Sequence, residues 1–565
     1  MSSTNDRPWL ASYAESVPHD IGQQTASLAH LIEESAHQYG SHVALEFFGA
    51  TTTYRQLGDQ IERAAEGLRR LGVRKGDRVA LVLPNCPQHV VAFYAVLRLG
   101  AIVVEHNPLY TPRELRHQFE DHGARIAIVW DQVAPTVQDL PSDLAVDTVV
   151  GVDITRAMPW GKRFALRLPV PAARRARKQL TRPARGTVAW QKLVESRRIK
   201  RSVARPEPHD VALIQYTSGT TGAPKGAVLT HANLTANAEQ ARAWVPQIPR
   251  GTSVVYAVLP LFHAYGLTLC LTFAMSMGAR LVLFPKFDPD LVLPVLRKRP
   301  PTFLPAVPPI CARLLAAANE KKVSLAGVAI GISGAMPLPA DLVEPWEQAT
   351  GGYLVEGYGL SECSPVLMAN PVSDARRAGT VGLPLPSTEV RVVDAENPNI
   401  VRGPGEEGEL IARGPQVFQG YWKRPDETRA ALTDDGWFRT GDVARVDEDG
   451  FVTIVDRIKD LVITGGFNVT PSEVEDELRG YDGIADVSVV GLPHPHSGEE
   501  VVAAVVMEPG ASFDAEAIRA WAKERMAAYK APRRVVQLDE LPKSMIGKVV
   551  RRQVRDLLLA DEQEA

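Results

Sequence analysis

Apolar residues recur at two spacings along the first third of the chain. Between Ile61 and Leu71 they follow the period of an amphipathic helix, and residues 89–99 also predict a helix. Residues 77–83 and 101–104 are instead short apolar runs of the kind that form buried strands. Alternation of this kind over residues 28–160 predicts a parallel sheet with helices on both faces.

An uncharged stretch from Thr252 to Ala279 is long enough to span a bilayer. Pro260, His263 and Gly266 interrupt it, however, and residues 254–259 are rich in strand formers. We therefore predict a strand, a loop and a buried helix here rather than a membrane-spanning helix.

The pattern changes after residue 380. Short runs at 390–393 and 408–414 lie between Gly and Pro turns, and their period of two predicts an antiparallel, barrel-like subdomain. Further on, Thr470, Pro471 and Glu473 predict a helix that begins with a capping box. The C-terminal part mixes strands and helices, which predicts a small α+β unit. We expect its strands at 461–464, 485–490 and 501–506 and its later helices at 514–526 and 549–558.

Composition limits the classes of protein that fit. The chain has 565 residues, of which 45% are hydrophobic and 23% charged, and its net charge is −3. That length suggests about three or four compact units, and the near-neutral charge argues against a dedicated nucleic-acid binder. The four cysteines are far apart and lack metal-ligand spacing, which favours reduced thiols in a cytoplasmic protein. Residues 1–20 show no secretory signal pattern.

Positive charge is concentrated between Arg156 and Arg201. This basic segment, residues 156–201, has 15 Lys or Arg residues and one acidic residue, Glu195, with Trp160 and Phe164 among the charges. Such a mixture suits weak docking to an anionic membrane surface. A solvated, partly disordered insertion is the alternative, and the sequence favours it while leaving both interpretations open.

A loop rich in glycine and hydroxyl residues extends from Tyr216 to Ala227, between a predicted buried strand at 211–214 and a predicted helix that begins at His231. Glycine lets the backbone approach a ligand, hydroxyls donate hydrogen bonds and lysine adds charge, a combination that fits a polyphosphate. The spacing is not that of a Walker A loop. A flexible surface loop is the alternative. The candidate phosphate-binding residues are Thr217, Ser218, Gly219, Thr220, Thr221, Gly222 and Lys225.

This loop resembles the signature of the adenylate-forming superfamily, which includes acyl-CoA synthetases, peptide-synthetase adenylation domains and luciferases. The stretch from Asn107 to Leu115 also resembles one found in bacterial long-chain fatty acyl-CoA synthetases. The resemblance implies an α/β fold, with a large N-terminal domain of two doubly wound βα subdomains plus a barrel-like β subdomain, and a small mobile α+β C-terminal domain. On this sequence the AMP-binding N-terminal domain would comprise residues 1–455, the hinge residues 456–460 and the C-terminal domain residues 461–565.

The resemblance also implies roles for single residues near the nucleotide. The backbone at Gly334 and Ala335 would lie along adenine, and Tyr358 would stack on it. Ser361 would donate to the α-phosphate or the substrate carboxylate; most relatives have Thr at this position, and the hydroxyl preserves the role. The remaining residues implied at the nucleotide are the Mg²⁺ ligands Glu362 and Thr220 and the ribose-binding Asp442 and Arg457.

Further residues are implied at the acyl pocket and in the mobile domain. His263 would border the acyl pocket, although a lone His in an apolar run is more often a core residue. Lys548 stands in the family's Pro-x-x-x-x-Gly-Lys pattern and would bridge the carboxylate and the α-phosphate. Lys459 matches the hinge, and the loop at Gly465 and Gly466 would reach the pantetheine tunnel.

Taken together, the resemblance implies an ATP-dependent acyl-CoA synthetase that uses ATP, Mg²⁺ and CoA and acts on a long- or medium-chain fatty acid. Three alternatives stay open: a fatty acyl-AMP ligase that loads a carrier protein, a CoA ligase for an aromatic acid, and a non-catalytic nucleotide-binding protein. We expect no nucleic-acid partner and a cytoplasmic protein, with the basic segment as the candidate for weak peripheral contact with the inner membrane face. The oligomeric state is left open, a homodimer being one option.

Overall fold

The structure is a computed structural model that describes residues 7–217, 224–464, 467–494, 498–526, 528–544 and 547–564. Within these residues the chain forms two compact units. The first unit holds residues 7–217, 224–389 and 412–438, and the second holds residues 390–411 and the described residues from 439 onward. The boundary expected at 456–460 stays a prediction, because residues 390–411 and 439–455 group with the C-terminal residues in this division.

A sheet of seven described strands lies in the first unit, in the order β7–β6–β5–β3–β4–β8–β9. Its strands pair in parallel except for β8 and β9, which are antiparallel. This confirms the parallel sheet predicted from the helix–strand alternation. The strands are β3 (Arg78–Val82), β4 (Ile102–Glu105), β5 (Ile126–Trp130), β6 (Thr148–Val152), β7 (Val188–Ala189), β8 (Val211–Thr217) and β9 (Lys225–Thr230).

A second sheet of the first unit has nine strands within the described chain, in the order β16–β15–β14–β13–β12–β10–β11–β1–β2. Its central strands are parallel, while β2, β15 and β16 join antiparallel at the two ends. The strands are β1 (Val43–Phe47), β2 (Ala50–Thr53), β10 (Val254–Ala257), β11 (Arg280–Leu283), β12 (Phe303–Ala306), β13 (Ile330–Ser333), β14 (Tyr353–Gly359), β15 (Val366–Ala369) and β16 (Leu383–Pro384).

Capping side chains set where several helices of the first unit begin. The helix α4 starts after Thr111, whose hydroxyl accepts from the backbone N–H of Glu114 while the Glu114 carboxylate accepts from the N–H of Thr111. The helices of this unit are α1 (Leu28–Gln38), α2 (Tyr54–Arg70), α3 (Pro87–Arg98), α4 (Pro112–His122), α5 (Ala134–Gln138), α6 (Trp160–Ala165), α7 (Pro171–Leu180), α8 (Trp190–Val194), α9 (His231–Trp244), α10 (Phe273–Ser276), α11 (Pro289–Leu296), α12 (Pro308–Glu320), α13 (Ala340–Thr350) and α14 (Pro425–Ala431).

The uncharged stretch at 252–279 folds as a strand, a loop and a buried helix, which confirms the prediction. After β10 the chain forms a π-helix over Gly266–Thr272, all of it buried, and continues directly into α10. Gly266 is required there, because a Cβ atom at this position would lie 2.1 Å from the carbonyl oxygen of Pro260. None of the helices in the described residues is both long and apolar enough to cross a membrane.

The second unit contains two further sheets. Four described strands form the order β17–β18–β19–β20, in the region where the barrel-like subdomain is expected, and β19 and β20 are antiparallel. The other sheet has the order β22–β21–β24–β23, with β25 parallel to β24. The strands are β17 (Glu389–Val393), β18 (Gly408–Arg413), β19 (Phe438–Val446), β20 (Val452–Arg457), β21 (Val462–Thr464), β22 (Phe467–Val469), β23 (Ile484–His494), β24 (Gly498–Met507) and β25 (Arg534–Gln537).

Three helices of the described chain complete the second unit: α15 (Pro471–Leu478), α16 (Ala515–Arg525) and α17 (Arg551–Glu564). The capping box predicted at α15 is wrong. The Thr470 side chain makes no capping hydrogen bond, and the Glu473 carboxylate binds Lys530 at 2.6 Å instead. Asp456 takes over the cap, since its Oδ2 accepts from the backbone N–H of Ser472 at 2.9 Å.

Candidate active site

The predicted phosphate loop connects β8 to β9. Thr217 and Lys225 face each other as paired residues at the ends of these antiparallel strands. Because they are paired, the chain leaves the sheet and returns to it at adjacent points. Both residues are half-buried. Thr217 and Lys225 are therefore placed together as expected. Five of the predicted phosphate-binding residues lie outside the described residues: Ser218, Gly219, Thr220, Thr221 and Gly222.

A segment from a distant part of the sequence runs beside β9. The backbone N–H of Val228 donates to Gly420 at 2.9 Å, and the N–H of Trp422 donates to Gly226 at 2.7 Å. These bonds bring Tyr421 next to the phosphate loop, with Lys225 Nζ lying 5.2 Å from the centre of its ring.

Tyr421 contacts the carboxylate expected to bind magnesium. Its hydroxyl donates to Glu362 Oε1 at 2.7 Å, and the backbone oxygen of Glu362 accepts from the N–H of Phe418 at 2.8 Å. Burial raises the pKa of Tyr421 and the nearby Glu362 carboxylate raises it further, so the phenol stays a hydrogen-bond donor. Sequence analysis missed Tyr421. Glu362 itself is buried in a short 3-10 helix, Ser361–Cys363, that follows β14, and Ser361 begins that helix.

The surroundings of Glu362 fit a magnesium ligand. Mg²⁺ prefers carboxylate oxygen and is commonly held by one or two carboxylates together with substrate phosphates. In the described part of the chain, no group of three or more His, Cys, Asp or Glu side chains could hold a metal ion. Tyr421 would orient the ligand, as partners of metal ligands commonly do.

The residues expected along adenine lie at the carboxyl ends of adjacent parallel strands, β13 and β14. Gly334 is tightly enclosed, because a Cβ atom there would lie 3.1 Å from the backbone oxygen of Gly357 and 3.2 Å from the Tyr265 ring. Ala335 follows with a φ of +66°, a left-handed conformation that turns the chain sharply. Tyr358 is half-buried on the neighbouring strand. Ligands of open α/β sheets bind at this edge, which agrees with the predicted adenine position.

His263 begins a segment that contacts two parts of the candidate site: the strand β13, which precedes Gly334, and Ser364, which follows the short helix of Glu362. Its Nδ1 accepts from the N–H of Tyr265 at 3.3 Å, and burial lowers the pKa of His263. Two side chains further along make the contacts: the Tyr265 hydroxyl donates to the oxygen of Ile332 at 2.8 Å, and the Thr268 hydroxyl donates to the oxygen of Ser364 at 2.5 Å. The contacts to Ile332 and Ser364 belong to Tyr265 and Thr268, so the place of His263 at an acyl pocket stays a prediction.

The helix α9 presents a buried polar face that sequence analysis did not identify. Asn237 holds both backbone groups of Val366, accepting from its N–H at 3.0 Å and donating to its oxygen at 2.8 Å. Asn233 donates to the oxygens of Pro415 and Val417, both at 2.8 Å. These bonds fix the segments that precede Phe418 and follow Glu362. The helical spacing of Asn233 and Asn237 was visible in the sequence, but their partners were not.

In the second unit, three of the predicted residues come together. Arg457 Nε donates to Asp442 Oδ1 at 3.0 Å across β19 and β20, and Asp442 is buried. The Lys548 residue is exposed as a whole, yet packing around its ammonium displaces water and lowers the pKa of Lys548 to about 8. The positive Arg457 lowers that pKa further, and the negative Asp442 opposes it. Gly465, Gly466 and the side chain of Lys459 lie outside the described residues.

Two family models match the chain. Residues 32–422 match the model of the AMP-binding enzyme family, and residues 473–548 match the model of the AMP-binding enzyme C-terminal domain. The chain belongs to the AMP-binding enzyme family. The family confirms the superfamily resemblance and, with the sheets described above, the α/β fold class with its smaller C-terminal part.

Individual relatives cover nearly the whole chain. A long-chain-fatty-acid–CoA ligase from Bacillus subtilis is 37% identical to this chain. The match covers 99% of this chain and 99% of the ligase. Among solved structures, ATP-bound MatB from Rhodopseudomonas palustris is 30% identical with a TM-score of 0.80, covering 94% of this chain and 98% of that one. The anthranilate CoA ligase AuaEII in complex with anthranoyl-AMP is 26% identical with a TM-score of 0.81, covering 97% and 100%.

Proposed function

We propose that the protein is an AMP-forming acid–thiol ligase that activates a fatty acid with ATP and transfers the acyl group to CoA. The observation that carries this proposal is the near-complete match to a relative named long-chain-fatty-acid–CoA ligase. The site agrees with it, since a phosphate loop, a buried carboxylate and an uncharged buried segment are the parts that ATP, Mg²⁺ and a hydrocarbon chain require.

In the first half-reaction a carboxylate oxygen of the acid attacks the α-phosphorus of ATP. A new oxygen–phosphorus bond forms, the bond to the β-phosphate oxygen breaks, and acyl-AMP and pyrophosphate result. Positioning and charge neutralisation dominate catalysis of such a transfer. Thr217 and Lys225 would hold phosphate oxygens, Ser361 would orient the attacked group, and Lys548 would stabilise the developing negative charge. Mg²⁺ on Glu362 would neutralise phosphate charge.

In the second half-reaction the CoA thiolate attacks the acyl carbonyl carbon, and AMP leaves. The small domain would turn about the hinge at 456–460, withdraw Lys548 and bring the loop at Gly465 and Gly466 to the pantetheine arm. One site would then serve two reactions through a hinge motion.

The acyl side of the site favours an apolar acid. His263 lies three residues before the uncharged π-helix Gly266–Thr272, whose residues are all buried. Apolar walls of this kind suit a hydrocarbon tail, long or medium in length. An aromatic acid and a carrier-protein acceptor are the competing possibilities that the following experiment separates.

The test is a panel of carboxylic acids with ATP and Mg²⁺, using either CoA or an acyl carrier protein as acceptor. We expect AMP and thioester to form with straight-chain fatty acids and CoA. Preference for an aromatic acid, or thioester only on the carrier protein, would replace the proposal by one of the alternatives. Absence of AMP with every acid would point to a non-catalytic nucleotide-binding protein.

A substitution of Lys548 tests whether this residue acts in the first half-reaction and not in the second. Lys548→Ala should slow pyrophosphate release by about a hundredfold or more, the scale of losing one preorganised donor, while thioester formation from supplied acyl-AMP persists. Equal losses in both steps would contradict the role of Lys548.

We also propose weak peripheral contact between the basic segment, residues 156–201, and anionic lipid at the cytoplasmic face of the membrane. Trp160 and Phe164 are 83% and 63% exposed, and the lysines and arginines beside them carry the complementary charge. The far end of α7 is fixed to the first unit, because Trp130 Nε1 donates to the oxygen of Leu180 at 2.9 Å.

Vesicle sedimentation tests this contact. Phosphatidylglycerol vesicles should retain the protein at low ionic strength and release it at high salt, because salt screens exposed charges. Trp160→Ser with Phe164→Ser should weaken retention, whereas Leu109→Ser, at an exposed apolar residue outside the segment, should not. Equal retention of both variants, or none of the unchanged protein, would reject the contact.

A further inference from the structure

Arg551, the first residue of α17, joins four side chains of the second unit. Its Nε and Nη2 bind the two oxygens of Glu475 at 3.0 and 2.8 Å, and Nη2 also donates to Ser472 Oγ at 2.8 Å. Its Nη1 donates to Asp456 Oδ1 at 3.0 Å and reaches Asp460 Oδ2 at 3.4 Å. The two-pronged contact with Glu475 is the geometry that only a guanidinium supplies.

These partners come from both sides of the expected hinge. Asp456 and Asp460 bound the hinge segment 456–460, while Ser472 and Glu475 lie in α15. Asp456 and Glu475 are buried, with exposures of 5% and 6%, so their charges depend on the pairing. Arg551 therefore fastens the hinge segment to the helices that follow it.

Arg551 also follows the loop that carries Lys548. The backbone oxygen of Lys548 accepts from the N–H of Ser544 at 2.7 Å, and the Ser544 hydroxyl accepts from the N–H of Lys548 at 3.2 Å. Lys548 stands three residues before Arg551, so these bonds lie close along the chain to the start of α17. Asp456, which Arg551 binds, directly precedes Arg457, and Arg457 is paired with Asp442.

We propose that Arg551 is a positioning residue for the adenylation half-reaction: it holds the hinge segment 456–460 against α15 and α17 and so fixes Lys548 relative to Arg457. This inference rests on the proposed function. A rotation about Lys459 for the second half-reaction would break the bond to Asp456, because the two residues lie on opposite sides of that hinge. The bond to Glu475 would persist, since Glu475 and Arg551 are on the same side.

A purely structural role for Arg551 makes a different prediction. An anchor of the small domain would, when removed, lower the rates of both half-reactions alike. A positioning role lowers adenylation selectively. Burial lowers the pKa of Lys548, the positive Arg457 and Arg551 lower it further, and Asp442 and Asp460 oppose that effect. Loss of the Arg551 charge should therefore move the alkaline decline of adenylation to higher pH under either role, and the selective loss of adenylation decides between the two roles.

The experiment compares two variants. Arg551→Lys keeps the positive charge but cannot make the two-pronged contact with Glu475, and Arg551→Met removes both the charge and the contact. Arg552→Met is the matched control, since this neighbour on α17 pairs with Asp556 on an exposed surface. Adenylation is followed by pyrophosphate release, and thioester formation is followed separately with supplied acyl-AMP and CoA. Asp456→Asn provides a second route to the same contact if the Arg551 variants fail to fold.

We expect adenylation by Arg551→Lys, Arg551→Met and Asp456→Asn to fall roughly tenfold to a hundredfold, the scale of a displaced catalytic group, with thioester formation nearly unchanged. Arg551→Met should also shift the alkaline decline to higher pH. Equal losses in both steps, whether or not the alkaline decline moves, or rates equal to those of Arg552→Met, would overturn the inference. Failure of the proposed function is separate, because the unchanged protein would then form no AMP from any acid.

Discussion

At the scale of single residues, the hydroxyl of Tyr421 would hold the Glu362 carboxylate in the orientation in which it binds Mg²⁺. The bond between them is 2.7 Å long, and the phenol stays protonated because burial raises its pKa. We expect Tyr421→Phe to raise the Mg²⁺ concentration needed for half-maximal adenylation by about tenfold or more, the usual cost of losing a partner of a metal ligand. Initial rates at fixed ATP and graded Mg²⁺ measure this requirement.

The control for that prediction is Tyr529→Phe, which removes a hydroxyl from an exposed tyrosine of the second unit. An unchanged magnesium requirement in Tyr421→Phe would mean that Tyr421 packs beside Glu362 without orienting it.

The ammonium of Lys548 gives a pH prediction at the same scale. Loss of water around it lowers its pKa to about 8, and only the protonated form can stabilise negative charge. Adenylation should therefore be full below this pKa and fall as the pH rises through about 8. Arginine keeps its charge throughout this range, so Lys548→Arg should remove the alkaline decline, even if its rate is lower. Pyrophosphate release measured from pH 6 to pH 10 checks both profiles; a decline that persists in Lys548→Arg would assign it to another group.

At the scale of elements, the polar face of α9 ties separate segments to one helix. Asn237 is fully buried and satisfies both backbone groups of Val366. Asn237→Ala would leave a buried donor and a buried acceptor unpaired, at a cost of about 2–4 kcal/mol in the stability of the first unit. Calorimetry should show an earlier unfolding transition for this variant. Asn319→Ala, at an exposed asparagine of α12, should leave the transition in place, and equal transitions in the two variants would contradict the assigned role of Asn237.

Local sequence patterns predicted elements well where the deciding contacts are also local. The capping box at Thr111 formed because its partner, Glu114, is three residues away. The one expected at Thr470 did not form, because Lys530, 57 residues from Glu473, takes the carboxylate. Tyr421 was missed for the same reason, since it meets Glu362 across 59 positions of sequence. Spacing along the chain reports neighbours in a helix or strand, whereas these contacts depend on how the elements pack.

At the scale of the whole molecule, the proposed chemistry draws on both compact units. Glu362, Thr217 and Lys225 belong to the first unit, and Asp442, Arg457 and Lys548 belong to the second. The resemblance supplied the roles of these residues, and the fold shows which of them are neighbours within each unit. Sequence pattern alone predicted the strand before the phosphate loop but not β9, which carries Lys225, and no pattern in it reports the proposed domain motion. The alternation between two half-reactions is therefore best tested by separating them.

A bulky residue at Gly466 provides that separation. If the loop at Gly465 and Gly466 contacts the pantetheine arm only in the second half-reaction, Gly466→Trp should obstruct thioester formation and leave adenylation intact. We expect pyrophosphate release in the presence of acid and ATP to stay within about twofold of the unchanged protein, while thioester formation from supplied acyl-AMP and CoA falls by about a hundredfold, as misplacement of one reactant can cause. Gly403→Trp, at a glycine of the same unit where a Cβ atom would meet only the Glu406 side chain, 3.6 Å away, controls for the added indole. Normal rates for both steps in Gly466→Trp would remove this loop from the CoA path, and equal losses in both would argue that the two half-reactions share one arrangement of the small domain.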